Sequence, residues 1–306
     1  MVARSERVLI TGGSGFTGRP LAERLRQEGY DVVAVSHEAD DAGALVVDLC
    51  DFDALTEALS GIRPRAVVHL AGIAATTYSD ISRIYSTNVV GTANLFAALS
   101  LAKIDPRIVI VASSAQIYAA SNTDAPLTED SLVAPKTHYG VSKRTTEDIA
   151  HLYSGRFPVV VTRAFNYTGP GQSSAFLVPK IVRHYAEGES EIRLGNLDLF
   201  RDFSDIRRVV AAFARLVSRA IDPTTVNICS GRAIHLCDIP NIMAEISGHH
   251  LKIVTDTSLL RSDEPRVIVG SPARLESLVG PLPNPEFRET LTRMFEECRQ
   301  KIANSE

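Results

Sequence analysis

Residues 8–25 read VLITGGSGFTGRPLAERL, and the parsing of this stretch decides the fold. An apolar run ends in three glycines, Gly12, Gly15 and Gly18, at three-residue spacing, and a helix-like segment follows at once. Glycines so placed let a strand turn tightly into a helix. They also let the loop backbone and the helix N-terminus approach a pyrophosphate. The spacing is GxxGxxG rather than the commoner GxGxxG, so the loop alone leaves a phosphate cradle and a plain strand-to-helix turn both open.

The pattern downstream narrows the choice. Short apolar runs alternate with helix-like segments: RVLITG, GRPLAERLRQEG, DVVAVS, DFDALTEALSG, AVVHLAG, YSTNVVGTANLFAALSLA, RIVIVASS, YGVSKRTTEDIAHLYS and PVVVTRAFN. Runs such as RIVIVA are apolar throughout, as strands covered on both faces must be. Alternation of this kind predicts an α/β fold with a doubly wound, parallel Rossmann sheet. After Asn166 the pattern breaks into the turn-rich TGPGQSS, and the tail carries helices and prolines. The expected division is a dinucleotide-binding domain over residues 1–165, with about 202–232 added. A smaller, mostly C-terminal lobe would span about 166–201 and 233–306.

Composition excludes several classes. The chain has 306 residues, 22% charged, with a formal net charge of −4, so it lacks the basic footprint of a nucleic-acid binder. No apolar run approaches the ~18 residues of a membrane span, and the chain enters a strand too early for a signal peptide. Cys50, Cys229, Cys237 and Cys298 are isolated, as expected of free thiols in the cytosol. His69 ends a buried run and reads as a packed core residue. The His249–His250 pair has no third ligand at metal spacing, so no metal is expected.

Chemistry enters with YGVSK. Of the eight tyrosines only Tyr139 has a lysine four residues later, at Lys143. On a helix that spacing puts both on one face. A nearby ammonium, helped by a cationic nicotinamide, lowers a phenol's pKa towards a useful range. Such a phenol can protonate a developing alkoxide. Ser113 and Ser114 end RIVIVASS at the carboxyl edge of the expected sheet, where doubly wound folds bind ligands. A hydroxyl there can bond the same substrate oxygen.

Taken together, TGGSGFTG, HLAG, TNVVGTANL, SSAQIY, YGVSK, TRAFNYTGPGQ and RDFSDIRRV resemble the extended short-chain dehydrogenase/reductase family, in its nucleotide-sugar branch. In the tail, RLGNLDLFRDFSDI and RSDEPRVIVGSPARL resemble segments of GDP-mannose 4,6-dehydratases and GDP-4-keto-6-deoxymannose reductases, the latter the more similar. The resemblance implies a catalytic triad of Ser114, Tyr139 and Lys143. It implies a cofactor site of Gly12, Gly15, Phe16, Gly18, Ser36, His37, Asp48, Leu49, Leu70, Ala71, Gly72, Asn88 and Phe165, with Tyr139 and Lys143. For the substrate it implies Ser113, Ser114, Gln116, Asn166, Lys180, Asn196, Arg201, Arg261 and Glu264. It also implies a homodimer through the segments near 83–102 and 139–154.

Two departures shape the expected activity. Dehydratases of the family carry an acid two positions after the serine, but here Ala115 and Gln116 follow Ser114, and an amide cannot shuttle a proton. Reduction at C4 of a nucleotide-linked 4-keto-6-deoxyhexose is therefore the leading expectation, with a 4-epimerase holding tightly bound NAD as the alternative. Retention of Ser114, Tyr139 and Lys143 argues against a non-catalytic relative. Ser36 and His37 stand where NAD-preferring relatives carry an acid, which favours NADP(H) over NAD(H), with Arg19 available to a 2′-phosphate. Glu38 would restore the acid if the register slips by one residue.

Overall fold

The computed structural model describes residues 6–39, 43–74, 80–119, 124–260 and 264–304. Strand β1 (Arg7–Thr11) leads through the glycine turn into α1 (Gly18–Gln27), which buries Leu21, Ala22 and Leu25 on one face. The chain continues through β2 (Asp31–Ser36), β3 (Leu45–Val46), α2 (Phe52–Ile62) and β4 (Ala66–His69). Asp51 caps α2 by accepting the Ala54 N–H, so an exposed side chain satisfies one of the helix's free donors.

Helix α3 (Ile81–Tyr85) and α4 (Gly91–Leu101) are joined without a break by a wide π-type turn over Ser86–Val90. Apolar periodicity foresaw one helix here and could not reveal the wide turn, which puts an extra residue, and Asn88 with it, against the site. Strand β5 (Ile108–Ser114), helix α5 (His138–Leu152) and strand β6 (Val159–Ala164) complete the first part of the chain.

Beyond it come β7 (Asn166–Thr168), α6 (Leu177–Glu187), β8 (Glu191–Leu194), β9 (Phe200–Asp205), α7 (Ile206–Val217) and β10 (Thr224–Ile228). The tail holds β11 (Ala233–His235), α8 (Asp238–Ser247), β12 (Lys252–Thr255), β13 (Val267–Ile268), α9 (Ala273–Val279) and α10 (Phe287–Ala303).

Seven strands form one sheet in the order β10-β6-β5-β4-β1-β2-β3, and every neighbouring pair is parallel. The doubly wound fold read from the sequence is the one observed. The strand order reverses between β1 and β4, which opens a crevice at their carboxyl ends. One face packs on α1, α7 and α9 through residues such as Ile10, Ile110, Phe213 and Leu275. The other packs on α2, α4 and α5 through Leu9, Val109, Leu95 and Phe96. A separate core of Val178, Ile181, Leu194, Ile239, Met243 and Leu291 unites α6, β8, α8 and α10. Helix α9, late in the chain, returns to the large sheet: Leu275, Val279 and Leu282 join the core beneath α7.

Candidate active site

At the crevice, the glycine loop closes on itself by a Gly15 N–H bond to the Gly12 carbonyl at 3.0 Å. The Gly13 N–H reaches the Val35 carbonyl, also at 3.0 Å, tying the loop to β2. A Cβ at Gly18 would lie 2.2 Å from the Gly12 oxygen, so α1 can start this close to the turn only without a side chain. The N-terminus of α1 has no side-chain cap, and its first turn carries no acid. Its N–H groups and positive dipole end thus suit an anion.

The Ser14 and Ser36 hydroxyls lie 2.8 Å apart, and Arg19 Nε donates to the Ser14 carbonyl at 3.0 Å. Two hydroxyls and a guanidinium therefore meet at the end of β2. His37 and Glu38 are exposed and face each other at 3.4 Å. On the far side, Asp48 is exposed and accepts the Cys50 N–H, while Leu49 is buried. Leu70 and Ala71 are half-buried behind β4, and Gly72 touches both Asn88 and Lys143, whose Oδ1 and Nζ would each lie 3.0 Å from a Cβ placed there.

Thr137 caps α5 by accepting the Gly140 N–H at 3.0 Å, which starts the helix one residue before Tyr139. A Cβ at Gly140 would lie 2.7 Å from the Gln116 carbonyl, so this glycine lets the first turn of α5 press against the turn that follows Ser114. The Ser114 hydroxyl hydrogen-bonds the Tyr139 phenol, and that bond draws the phenol's pKa down. Burial outweighs it, and with the nearby Tyr167 phenol pushes Tyr139 up to about 12. Burial thus favours the protonated phenol, the form that donates. Lys143 Nζ stands 5.9 Å from the Tyr139 ring centre and donates to the Ala112 carbonyl at 2.9 Å. Burial pulls the ammonium down to about 8, against the opposing field of Glu147.

The remaining expected residues divide. Ser113 lies on the opposite face of β5 from Ser114, and its buried Oγ has no hydrogen-bond partner. Gln116 is exposed in the turn after Ser114. Asn166 is exposed, with its amide on the Asp202 carbonyl at 3.3 Å, and Phe165 is buried with Tyr118, Leu127 and Cys229. Lys180 donates to the Arg193 carbonyl at 2.9 Å, and Asn196 accepts the Asp198 N–H at 2.9 Å. Arg201 and Glu264, expected to hold different parts of a nucleotide, hold each other at 2.8 Å. Arg201 also spans the Phe200 and Pro265 carbonyls. Arg261 lies outside the described residues.

Residues 8–229 match the model of the NAD dependent epimerase/dehydratase family. The chain belongs to that family. GDP-6-deoxy-D-talose 4-dehydrogenase of Aggregatibacter actinomycetemcomitans is 32% identical over 277 residues, covering 90% of this chain and 91% of that protein. GDP-6-deoxy-D-mannose reductase of Pseudomonas aeruginosa is 27% identical over 309 residues, covering 97% of this chain and 99% of that one. The crystal structure of RMD from Pseudomonas aeruginosa complexed with NADPH superposes with a TM-score of 0.85 at 28% identity, covering 97% of this chain and 98% of that one. As a member of the family, this chain is an NAD(P)-dependent oxidoreductase.

A nicotinamide dinucleotide suits what the crevice offers: an uncapped helix start, a turn whose glycines bring backbone close to backbone, and Lys143 behind it. Three features of this epimerase/dehydratase site escaped sequence reasoning. Tyr167 stacks on Phe16 at 5.8 Å and bonds the Thr17 hydroxyl at 3.0 Å, which ties β7 to the glycine loop. A buried chain also runs behind the crevice. Thr92 donates to the Asn88 carbonyl at 2.6 Å, so His69 Nε2–H donates to Thr92 and His69 Nδ1 accepts from Thr11. Burial and the Lys143 charge press His69 to about 3, so it stays neutral. Asn88 in turn clasps both the N–H and carbonyl of Ile73 and reaches the Ser142 hydroxyl. The third feature is Glu147, which Tyr-x₃-Lys-x₃-Glu spacing would have placed on the same helical face as Tyr139 and Lys143.

Among the described residues no cluster of three metal-ligating side chains occurs. His249 instead donates from Nε2 to the Glu189 carbonyl. Of the thiols, Cys229 is buried and Cys50 exposed. No helix among the described residues is long and apolar enough to cross a membrane.

Proposed function

We propose that this protein reduces the C4 keto group of a nucleotide-linked 4-keto-6-deoxyhexose, with GDP as carrier and NADPH as preferred reductant. The observation that carries the reading is the meeting of the Tyr139 phenol with the Ser114 hydroxyl and the Lys143 ammonium, with no acid in the turn that follows. When bound, the reduced nicotinamide supplies the hydride. Ser114 orients the carbonyl, and Tyr139 gives its proton to the oxygen as negative charge develops there. Lys143 stabilises the phenolate left behind, and the donors are in place before the reaction starts.

Gln116 offers no proton-transfer group for elimination across the sugar ring, which disfavours a dehydratase. The relatives that act on GDP-6-deoxy sugars support a GDP carrier. Arg201 and Glu264, with Lys180, Asn166, Asn196 and Arg261, are the proposed nucleotide side of the site, where a diphosphate would compete with Glu264 for the Arg201 guanidinium. The meeting of Ser14, Ser36 and Arg19 favours a 2′-phosphate, and so a dissociable NADPH over the tightly held NAD of a 4-epimerase.

A panel of GDP-, dTDP- and UDP-linked 4-keto sugars, assayed with NADH and NADPH, tests the reading. Stoichiometric NADPH consumption with a GDP-linked 4-keto sugar is the expected result. The reading fails if no 4-keto sugar is reduced, or if purified protein retains NAD and interconverts C4 epimers without added cofactor.

A further inference from the structure

Helix α5 carries a third ionisable side chain on its active-site face. Glu147 lies four residues beyond Lys143 and is 0% exposed. Its two carboxylate oxygens accept from one edge of the Arg163 guanidinium, Nε at 2.9 Å and Nη2 at 2.8 Å. Arg163 comes from β6, opposite Ser113 of β5, and spends Nη1 on the Glu129 carbonyl and the Tyr118 hydroxyl. The Tyr118 hydroxyl donates in turn to Asn227 Oδ1 at 2.7 Å, which extends the hydrogen-bonded cage around the guanidinium.

A buried ion pair of this kind is a poor stabiliser, since an apolar pair of similar volume serves as well or better. Its position explains it instead. Lys143 is buried, and the partner its ammonium donates to, the Ala112 carbonyl, is neutral. The compensating charge on its helix is Glu147, one turn away. We propose that Glu147, held in place by the two-point Arg163 pair, is a positioning residue of the reaction: it keeps the Lys143 ammonium charged and locks α5 against β5 and β6.

Among the described residues, three other titratable groups bear on Lys143. Tyr139 precedes it on α5, His69 stands neutral at the end of β4, and Arg163 lies behind Glu147 on β6. The exposed Arg144–Asp148 pair lies on the outer side of α5. The sign follows from these neighbours. Burial lowers the lysine and Glu147 raises it, so removing the carboxylate charge leaves burial unopposed and moves the lysine lower still.

The role in turnover rests on the reductase reading, but the ionisation of Lys143 can be read without it. The experiment is NMR titration of ¹³C-lysine-labelled protein, with the Lys143 signal assigned by its loss in Lys143→Met. Glu147→Gln should lower the Lys143 midpoint by roughly one pH unit. The basic limb of kcat/KM should move with it, whereas Glu147→Asp should hold the wild-type midpoint. The double variant Glu147→Met/Arg163→Met, which replaces the pair with apolar bulk, should recover thermal stability while its Lys143 midpoint stays low. A midpoint that remains at the wild-type value in either folded variant, with activity lost equally at all pH values, overturns the proposal and leaves Glu147 a structural ion. Failure of the wild-type enzyme to reduce any 4-keto sugar would leave the titration result standing.

Discussion

Tyr139 and Lys143 show how burial sets the chemistry available to two side chains. The phenol, pushed up to about 12, is protonated at neutral pH and suited to donating. The ammonium, pulled down to about 8, is charged below that value and neutral above it. A charged lysine is needed to stabilise the departing proton's phenolate, so kcat/KM for reduction should be level at neutral pH. It should then fall about tenfold per unit above roughly pH 8, as Lys143 loses its proton. A profile from pH 6 to 9.5 checks this, and a level profile through pH 9 would remove Lys143 from that role. Tyr139→Phe deletes the proton donor while keeping the ring, and should lower kcat roughly 10²–10⁴-fold. Its NADPH affinity by fluorescence titration should stay close to wild type, which separates lost chemistry from lost binding.

Among the elements, the turn from β1 into α1 bears the closest steric constraint. The helix begins so near the turn that a methyl group at Gly18 meets the Gly12 carbonyl, and the backbone on one side must move. Gly18→Ala should therefore destabilise the fold by about 1–3 kcal/mol in urea unfolding, as overpacking does. It should weaken NADPH binding more than it lowers kcat at saturation, because the displaced groups are those facing the pyrophosphate. Equal loss in both parameters would mean that the damage spreads beyond the loop. The π-type turn at Ser86–Val90 acts in the opposite sense: it widens a helix so that Asn88 can hold both the N–H and the carbonyl of Ile73.

For the whole molecule, α4 and α5 stand side by side, with Phe96 stacked on Tyr153 at 4.9 Å. They leave large apolar side chains in water: Leu101 is 63% and Leu152 82% exposed, with Val90 and Val141 also exposed. Such surface supports the proposed homodimer through these helices. Leu101→Glu combined with Leu152→Glu should halve the mass measured by light scattering at micromolar concentration, with the far-UV circular dichroism unchanged. A wild-type protein that is already monomeric at that concentration would refute the interface.

Local pattern alone determined the parallel sheet, because fully apolar strands between amphipathic helices have few other ways to bury their faces. The family was legible through the resemblance of several motifs together, above all those that carry Ser114, Tyr139 and Lys143, and not through any one spacing. The pairing of Arg201 with Glu264, the Tyr167 stack on Phe16 and the Arg163 cage around Glu147 were decided only by tertiary structure. Each joins residues from distant elements, and no local periodicity records which side chains the folded chain will bring together. The ionisation of Tyr139 and Lys143 was decided there too. Spacing says that an ammonium stands near a phenol, but how far water is excluded from both depends on everything packed around them.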